Sequence, residues 1–284
     1  MQKTFGEIFE IDGIGLHSGL PSKMTFYPAK ADSGIVFVRA DLPHKPEFKA
    51  MYNQVVDTRN CTCLGNSQKE IVSTIEHIMA ALYILGVDNA RVEVTNPETP
   101  IMDGSAKVFY EQLKNVPLKE LPAKRKYLKV LQRVEFADGK GAKVVLEPNN
   151  ELHIHFAIDF PSKIVGHQEF DGVINGTVFA AKIAPARTFC EKYQVDYLRS
   201  IGLIKGGSLE NAVVLDGEKI LNEGGFRVEN EAVNHKVLDC IGDMYTSGYR
   251  ILANITAEKS GHFHNNEVLK KLFSDPNNYQ IVEE

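Results

Sequence analysis

Asn230-Glu-Ala-Val-Asn-His235-Lys-Val-Leu-Asp239-Cys-Ile-Gly-Asp243-Met244 is the stretch on which the reading of this chain turns. On a helix it puts Val233, Val237 and Ile241 along one side, four residues apart. His235, Asp239 and Asp243 line the roughly opposite side at the same spacing. Positions i and i+4 stack one above the other, so a His and an Asp placed this way can share one metal ion. Taken alone, the segment reads as a surface helix with a solvated polar stripe. A metal site needs a third ligand, a base and an oxyanion partner from elsewhere in the chain.

The totals set bounds on that search. The chain has 284 residues, 43% hydrophobic and 24% charged, which is ordinary for a soluble globular protein with material for one or two cores. A net charge of −5 without a long basic run argues against nucleic acid, so any bound phosphate needs a local basic pocket. Four cysteines do not make a disulfide scaffold, and Cys61 and Cys63 in one strand point to opposite faces. The start, Met-Gln-Lys-Thr-Phe-Gly, has no apolar core of a signal peptide, and no apolar run is long enough to span a bilayer. The expectation is a cytoplasmic protein with reduced thiols and no transmembrane anchor.

In chain order, Thr4–Ile11, Ser22–Tyr27, Gly34–Arg39 and Ala50–Thr58 alternate like strands of an antiparallel sheet. Gly13-Ile-Gly-Leu-His17-Ser-Gly19 is a tight turn that lacks the Lys-Ser/Thr and following helix of a phosphate loop; His17 is either a turn residue or a group facing a site. Glu70 to Gly86 is a predicted helix, with Ser73 and Glu76 as a capping box and Gly86 just past its end. A strand over Asn89–Thr95, a loop over Pro97–Ser105 and a helix over Ala106–Lys114 follow. Residues 115–127 hold two prolines and a run of basic residues, and read as a linker. The domains are therefore set at 1–120 and 128–284, joined by 121–127.

The second half repeats the make-up of the first. Leu128–Phe136, Ala142–Pro148, Leu152–Phe160, Val165–Phe170 and Thr177–Ile183 read as strands, and Glu191–Ile201 as a helix. Gly202–Ser208 is a glycine-rich turn before a short strand, Asn211–Leu215. The piece 191–215 interrupts the order like an insertion, a candidate lid or binding element. The opening helix runs from about Asn230 to Thr246. Then come a strand over Arg250–Glu258, a loop over Lys259–Asn266, a helix over Glu267–Phe273 and a short tail, Asn278–Glu284. Strands followed by helices, twice over, argue for α+β layers rather than a wound parallel sheet: two similar domains, each a sheet packed on helices.

Catalytic zinc takes three protein ligands and keeps one open position. Among the remaining histidines, His44 reads as loop, while His153, His155 and His167 read as strand residues with structural roles. Glu76-His77 carries two readings. In one, Glu76 closes the capping box and His77 packs in the core. In the other, His77 is the third ligand and Glu76 is the base, kept ionised by the helix N-terminus. No His-Glu-x-x-His occurs, which argues against a zincin-type peptidase.

Several motifs occur together: Gly-Ile-Gly-Leu-His-Ser-Gly at 13–19, Ser-Thr-Ile-Glu-His at 73–77, Pro-Ile-Met-Asp-Gly-Ser at 100–105 and Ala-Arg-Thr-Phe at 186–189. Gly-Gly-Ser at 206–208, Asn-His-Lys-Val-Leu-Asp at 234–239, Ile-Gly-Asp at 241–243 and Lys-Ser-Gly-His at 259–262 complete the set. In order and spacing, over essentially the whole chain, this resembles the zinc-dependent UDP-3-O-acyl-N-acetylglucosamine deacetylases of Gram-negative bacteria, enzymes of the committed step of lipid A synthesis. Each motif is weak alone; the set is specific.

The resemblance implies one zinc ion on His77, His235 and Asp239, in a cleft between the two domains. It implies Glu76 as general base on water attacking the acetyl carbonyl, and a protonated His262 that stabilises the oxyanion or donates to the leaving amine. Asp243 would orient His262 and favour its charged form, and Thr188 would donate to the oxyanion. Lys236, Phe189 and Ser208 would contact the substrate, and Lys259 its diphosphate. The insertion would be an acyl passage lined by Val195, Ile204, Gly207, Ala212 and Val214, with each buried methylene contributing about 0.8 kcal/mol. A monomer acting on a UDP-linked acylated amino sugar is expected. His264 departs from the family, which more often has an apolar residue there; it either packs as a substitute or competes for metal or proton. Cys63 would lie close to the metal without binding it. Two other readings remain: a metal-dependent deacetylase of another N-acetylated metabolite, and a non-catalytic RNA-binding module, against which the acidic charge weighs.

Overall fold

Alternating apolar and polar residues in the first hundred positions build a five-stranded sheet. Its order is Phe9–Ile14, Pro21–Pro28, Ala90–Val94, Ile35–Arg39, Glu47–Lys49. Neighbours are antiparallel except Ile35–Arg39 beside Ala90–Val94, where the chain crosses over through a helix before returning. The computed structural model describes residues 1–67 and 69–284. From Lys126 onward a seven-stranded sheet forms around Arg250–Glu258, with Lys143–Pro148 antiparallel and Leu152–Asp159 parallel to it. Along this central strand Ile251, Ala253, Ile255 and Ala257 are buried, in the two-residue period of a pleated strand. The last residues, expected as a tail, instead form Tyr279–Glu283, an edge strand antiparallel to Lys126–Val130.

Among the described residues there are six α-helices: α1 (Glu76–Leu85), α2 (Lys107–Leu113), α3 (Gly176–Val178, one turn), α4 (Lys192–Ser200), α5 (Glu231–Tyr245) and α6 (His262–Phe273). The α+β class is as expected. Among the described residues, no helix is long and apolar enough to cross a membrane.

Five local expectations are corrected. Ser73 and Glu76 form no capping box: Ser73 donates to the Pro97 carbonyl, α1 starts at Glu76 without a side-chain cap, and the Glu76 carboxylate turns inward. Thr177–Ile183 is helical, not a strand, because Asn175 caps the turn by accepting from Val178 N and the helical spacing buries both Phe179 and Ile183. α6 begins five residues earlier than Glu267, at His262, which puts His262, Asn265 and Asn266 on helical turns. Thr4–Ile11 and Ala50–Thr58 are each broken, the second by a 3₁₀ turn at Tyr52–Gln54. Gly86 does end α1, in the left-handed conformation that favours glycine.

α5 is not the surface helix that its segment alone suggests: every residue except Lys236 is buried, and its polar stripe faces inward. α5 lies between α1 on one side and the strands Leu152–Asp159 and His167–Val173 on the other. Its N-terminus is fixed by Glu231, 1% exposed, which pairs with Arg187 at 2.8 Å and also accepts from the backbone N–H of Arg187 and Arg227. At the other end Tyr245 donates to the Val87 carbonyl at 2.6 Å. Between them, Gly242 meets the first turn of α1: a Cβ there would lie 2.0 Å from the Glu76 carbonyl oxygen. Only a residue without a side chain permits this approach. The main core is one continuous cluster containing residues of both sheets and of α1, α2, α5 and α6.

Gly242→Ala is expected to lower the unfolding free energy by about 1–3 kcal/mol, the ordinary cost of overpacking against backbone. Urea denaturation followed by circular dichroism measures it; an unchanged midpoint would mean that the two helices separate without penalty.

Candidate metal centre and active site

The close crossing at Gly242 brings the first turn of α1 against the middle of α5, and with it Glu76 and His77 against His235 and Asp239. All four are buried, between 2% and 3% exposed. His77 Nε2 is 3.7 Å and His235 Nε2 3.5 Å from the same atom, Asp239 Oδ1. The two imidazole rings meet edge to face with centroids 5.1 Å apart. On its far side His235 Nδ1 lies 3.1 Å from the Ala186 carbonyl; a carbonyl only accepts, so Nδ1 carries the proton and Nε2 turns its lone pair inward. Burial pushes the His235 pKa down to about 3, overcoming Asp239, so the imidazole is neutral. Burial opposes ionisation of Asp239, yet the neighbouring His235, Lys236 and His262 hold its carboxyl well below the usual range.

Among the described residues, Asp239 Oδ1 is a buried oxygen with no hydrogen-bond donor. An orphaned carboxylate oxygen between two inward-facing imidazole nitrogens is costly in a protein interior unless a cation completes it. The ligand atoms of His77, His235 and Asp239 all lie within 4.8 Å of one another. Two nitrogens and one oxygen fit a zinc-like divalent ion with an open position.

A second layer surrounds this triad. His262 Nε2 is 4.0 Å from both Glu76 Oε1 and Asp239 Oδ2, and His262 Nδ1 is 2.8 Å from Asp243 Oδ2. Burial pushes the His262 pKa down, but Asp243, Asp239 and Glu76 raise it to about 9, so the ring is protonated near neutrality. Burial raises the Glu76 pKa against the opposing pull of His262 and His77. Glu76 Oε2 accepts from Thr62 N at 2.9 Å, leaving Oε1 facing His262. Lys236 Nζ donates to Asp239 Oδ2 at 2.9 Å.

These groups form one end of a cleft of about 740 Å³. Every residue nominated from the sequence lines it except Asp243, which stands behind His262: Thr188, Phe189, Lys236 and Lys259 lie with the polar groups, and Val195, Ile204, Gly207, Ser208, Ala212 and Val214 along the insertion. Lys259 is held by Asp159 at 2.7 Å, half exposed. The Thr188 backbone N–H donates to the Gly104 carbonyl, and a Cβ at Gly104 would lie 1.9 Å from the Asn211 carbonyl oxygen. The loop at 100–105 thus presses directly on the insertion. Leu16, Ile101 and Ile204 form a separate small core, with Val195 and Leu198 packed against it, which joins the 13–19 turn to the insertion.

His17 combines its two readings. It belongs to the turn and also lines the cleft. Glu98 anchors that turn, accepting from the backbone N–H of His17 and Ser18, each at 2.8 Å, and from Thr74 Oγ1. His264 packs against the rings of Phe136 and Phe263, which also touch each other, with Asp138 Oδ2 3.4 Å away, and belongs to neither metal-competent group among the described residues. The Cys63 thiol is pushed up to about 12 by burial and likewise belongs to neither. His44, His153 and His167 pair with Glu70, Asn254 and Glu169. Sequence reasoning missed Thr62, Glu98 and Asn265. Asn265 was hidden by the misplaced start of α6, since three residues after His262 on a helix is the same face; Thr62 and Glu98 carried no local signal.

Comparison with known proteins adds an independent line. The family described as UDP-3-O-acyl N-acetylglycosamine deacetylase matches residues 2–274. A Nautilia profundicola protein named UDP-3-O-acyl-N-acetylglucosamine deacetylase is 44% identical over 286 residues, covering 99% of this chain and 94% of that protein. Proteins of the same name from Haemophilus ducreyi and Helicobacter pylori are 41% and 40% identical, each over 99% of this chain and over 92% and 94% of their own lengths. With a match along nearly its full length and the motifs gathered into one cleft, the chain belongs to the UDP-3-O-acyl N-acetylglycosamine deacetylase family.

Proposed function

We propose that this chain is a zinc-dependent hydrolase that removes the acetyl group from UDP-3-O-acyl-N-acetylglucosamine, giving the free amine and acetate, the committed step of lipid A synthesis. The observation that carries the reading is the buried triad His77, His235 and Asp239, with Glu76 and His262 beside it, at one end of an apolar cleft. Zinc held by the triad would supply Lewis-acid activation of water and of the acetyl carbonyl.

The remaining chemistry falls to side chains. Glu76 takes the proton of the attacking water at Oε1, since Oε2 is already engaged by Thr62 N–H. Protonated His262 meets the developing oxyanion and delivers a proton from Nε2 to the leaving amine, a poor leaving group unless protonated. Asp243 holds that imidazole through Nδ1, as in other His–carboxylate pairs. Thr188 and Lys236 add donors near the reacting carbonyl. Along the insertion, Val195, Ile204, Gly207, Ala212 and Val214 take the 3-O-acyl chain; Phe189, Ser208 and Lys259 serve the sugar and the diphosphate. The same reading treats 1–120 and 128–284 as two domains joined by 121–127, with the cleft between them, in a cytoplasmic monomer.

Glu76→Gln is expected to lower kcat by about 10²–10⁴-fold, the usual contribution of a positioned base, with the circular dichroism spectrum and zinc content retained. Near-native turnover in that variant would remove Glu76 as base. Dialysis against a chelator should abolish acetate release and added zinc restore it, with roughly one ion per chain by atomic absorption; activity surviving complete removal would sink the metal-dependent reading. Ala212→Phe should raise KM for the acylated UDP-sugar while barely affecting a substrate without the acyl chain. Equal effects on both would mean that the passage does not hold the chain.

A further inference from the structure

Thr62 sits where α1, α5 and α6 converge, 3% exposed, and each of its polar groups is in use. Its carbonyl accepts from Ile75 N, the residue before α1, and its N–H donates to Glu76 Oε2 at 2.9 Å. Its hydroxyl donates to Asp243 Oδ1 at 2.5 Å. Asp243 Oδ2 receives two donors, His262 Nδ1 and Asn265 Nδ2, both at 2.8 Å. Thr62 therefore hydrogen-bonds to both carboxylates that serve the acid–base pair: Glu76 itself and the Asp243 that holds His262.

We propose that Thr62 is the positioning residue that sets the base Glu76 and the acid His262 relative to each other, through its backbone N–H on one and through its hydroxyl and Asp243 on the other. The assignment rests on the deacetylase reading for the roles of Glu76 and His262. Its physical basis is the asymmetry at Asp243. Oδ2 is shared by two donors, whereas Oδ1 has Thr62 Oγ1 as its side-chain donor. Without that hydroxyl, Oδ1 becomes a buried carboxylate oxygen lacking a donor, a costly state in a protein interior. The carboxylate then turns to share the donors on Oδ2, and the His262 ring turns with it. Catalytic groups tolerate little displacement, so the loss appears in turnover and not in substrate affinity.

Thr62→Val keeps the side-chain shape and the backbone N–H but removes the hydroxyl; Thr62→Ala also removes the hydroxyl and keeps the N–H, without valine's bulk, and Thr62→Ser keeps the hydroxyl. The expected result is a fall in kcat of about tenfold to a hundredfold for Thr62→Val, the size of one hydrogen bond to a charged group, with KM unchanged and most of the loss recovered in Thr62→Ser. In an Asp243→Ala background the same change should cost little more, because its effect runs through Asp243. A full multiplicative loss in that background, or wild-type kcat in Thr62→Val and Thr62→Ala, overturns the assignment. A second readout needs no substrate: the NMR proton resonance of His262 Nδ1–H should move in Thr62→Val and stay in Thr62→Ser, and an unmoved resonance also overturns it. Wild-type protein that released no acetate from the UDP-sugar would remove the proposed function while leaving the resonance test in force.

Discussion

Two helices cross here with no side chain between them at Gly242, and the site depends on that contact. The carbonyl of Glu76 occupies the space that a side chain at Gly242 would need. A wider crossing would move Glu76 and His77, on the first turn of α1, away from His235 and Asp239, two turns of α5. The distances of 3.5 and 3.7 Å to Asp239 Oδ1 are thus consequences of backbone packing. Glu231 and Arg187 at the start of α5, and Tyr245 against Val87 at its end, keep the helix from sliding along that contact.

Burying so many ionisable groups in one place is expensive, and the arrangement shows how the cost is offset. Glu76, Asp239 and Asp243 bring three carboxylates into the interior, faced by Lys236 and a protonated His262. One negative charge is left over, and one carboxylate oxygen of Asp239 has no donor. A divalent cation between the imidazoles answers both deficits, which is why the triad reads as a metal centre rather than as a packed core. Among the carboxylates around His262, Asp243 does most to raise its pKa, through a 2.8 Å contact at Nδ1.

The apolar end of the cleft is built by a different rule. The insertion carries little core of its own. It is fastened by close backbone approaches at Gly104 and by the small cluster of Leu16, Ile101 and Ile204. Glu98, with donors from His17, Ser18 and Thr74, fixes the turn on which that cluster rests. A polar anchor beneath an apolar wall fixes the insertion side of the cleft, while the crossing helices hold the ionisable groups on the other.

The sequence by itself determined the α+β class, most of the elements, and the i, i+4 pairing of His235 with Asp239, because periodicity and spacing are local properties. The motif set pointed to the family, which the comparisons show. Helical period alone reads α5 as a solvated surface helix, since a polar stripe looks the same whether it faces water or a buried site; the motif set turned that stripe towards a cleft, and the packing of α1 and the second sheet buries it. Of the two readings of Glu76, the cap fails: a Ser three residues before a Glu is a local pattern, while the turn of that carboxylate towards Thr62 and His262 is a tertiary fact. Thr62, Glu98 and Asn265 were invisible for the same reason: the partners of Thr62 and Asn265 on Asp243 lie 181 and 22 residues away in the chain, and those of Glu98 up to 81. Which residues are capable of the chemistry is written locally; which of them meet is decided by the crossing of two helices at a glycine.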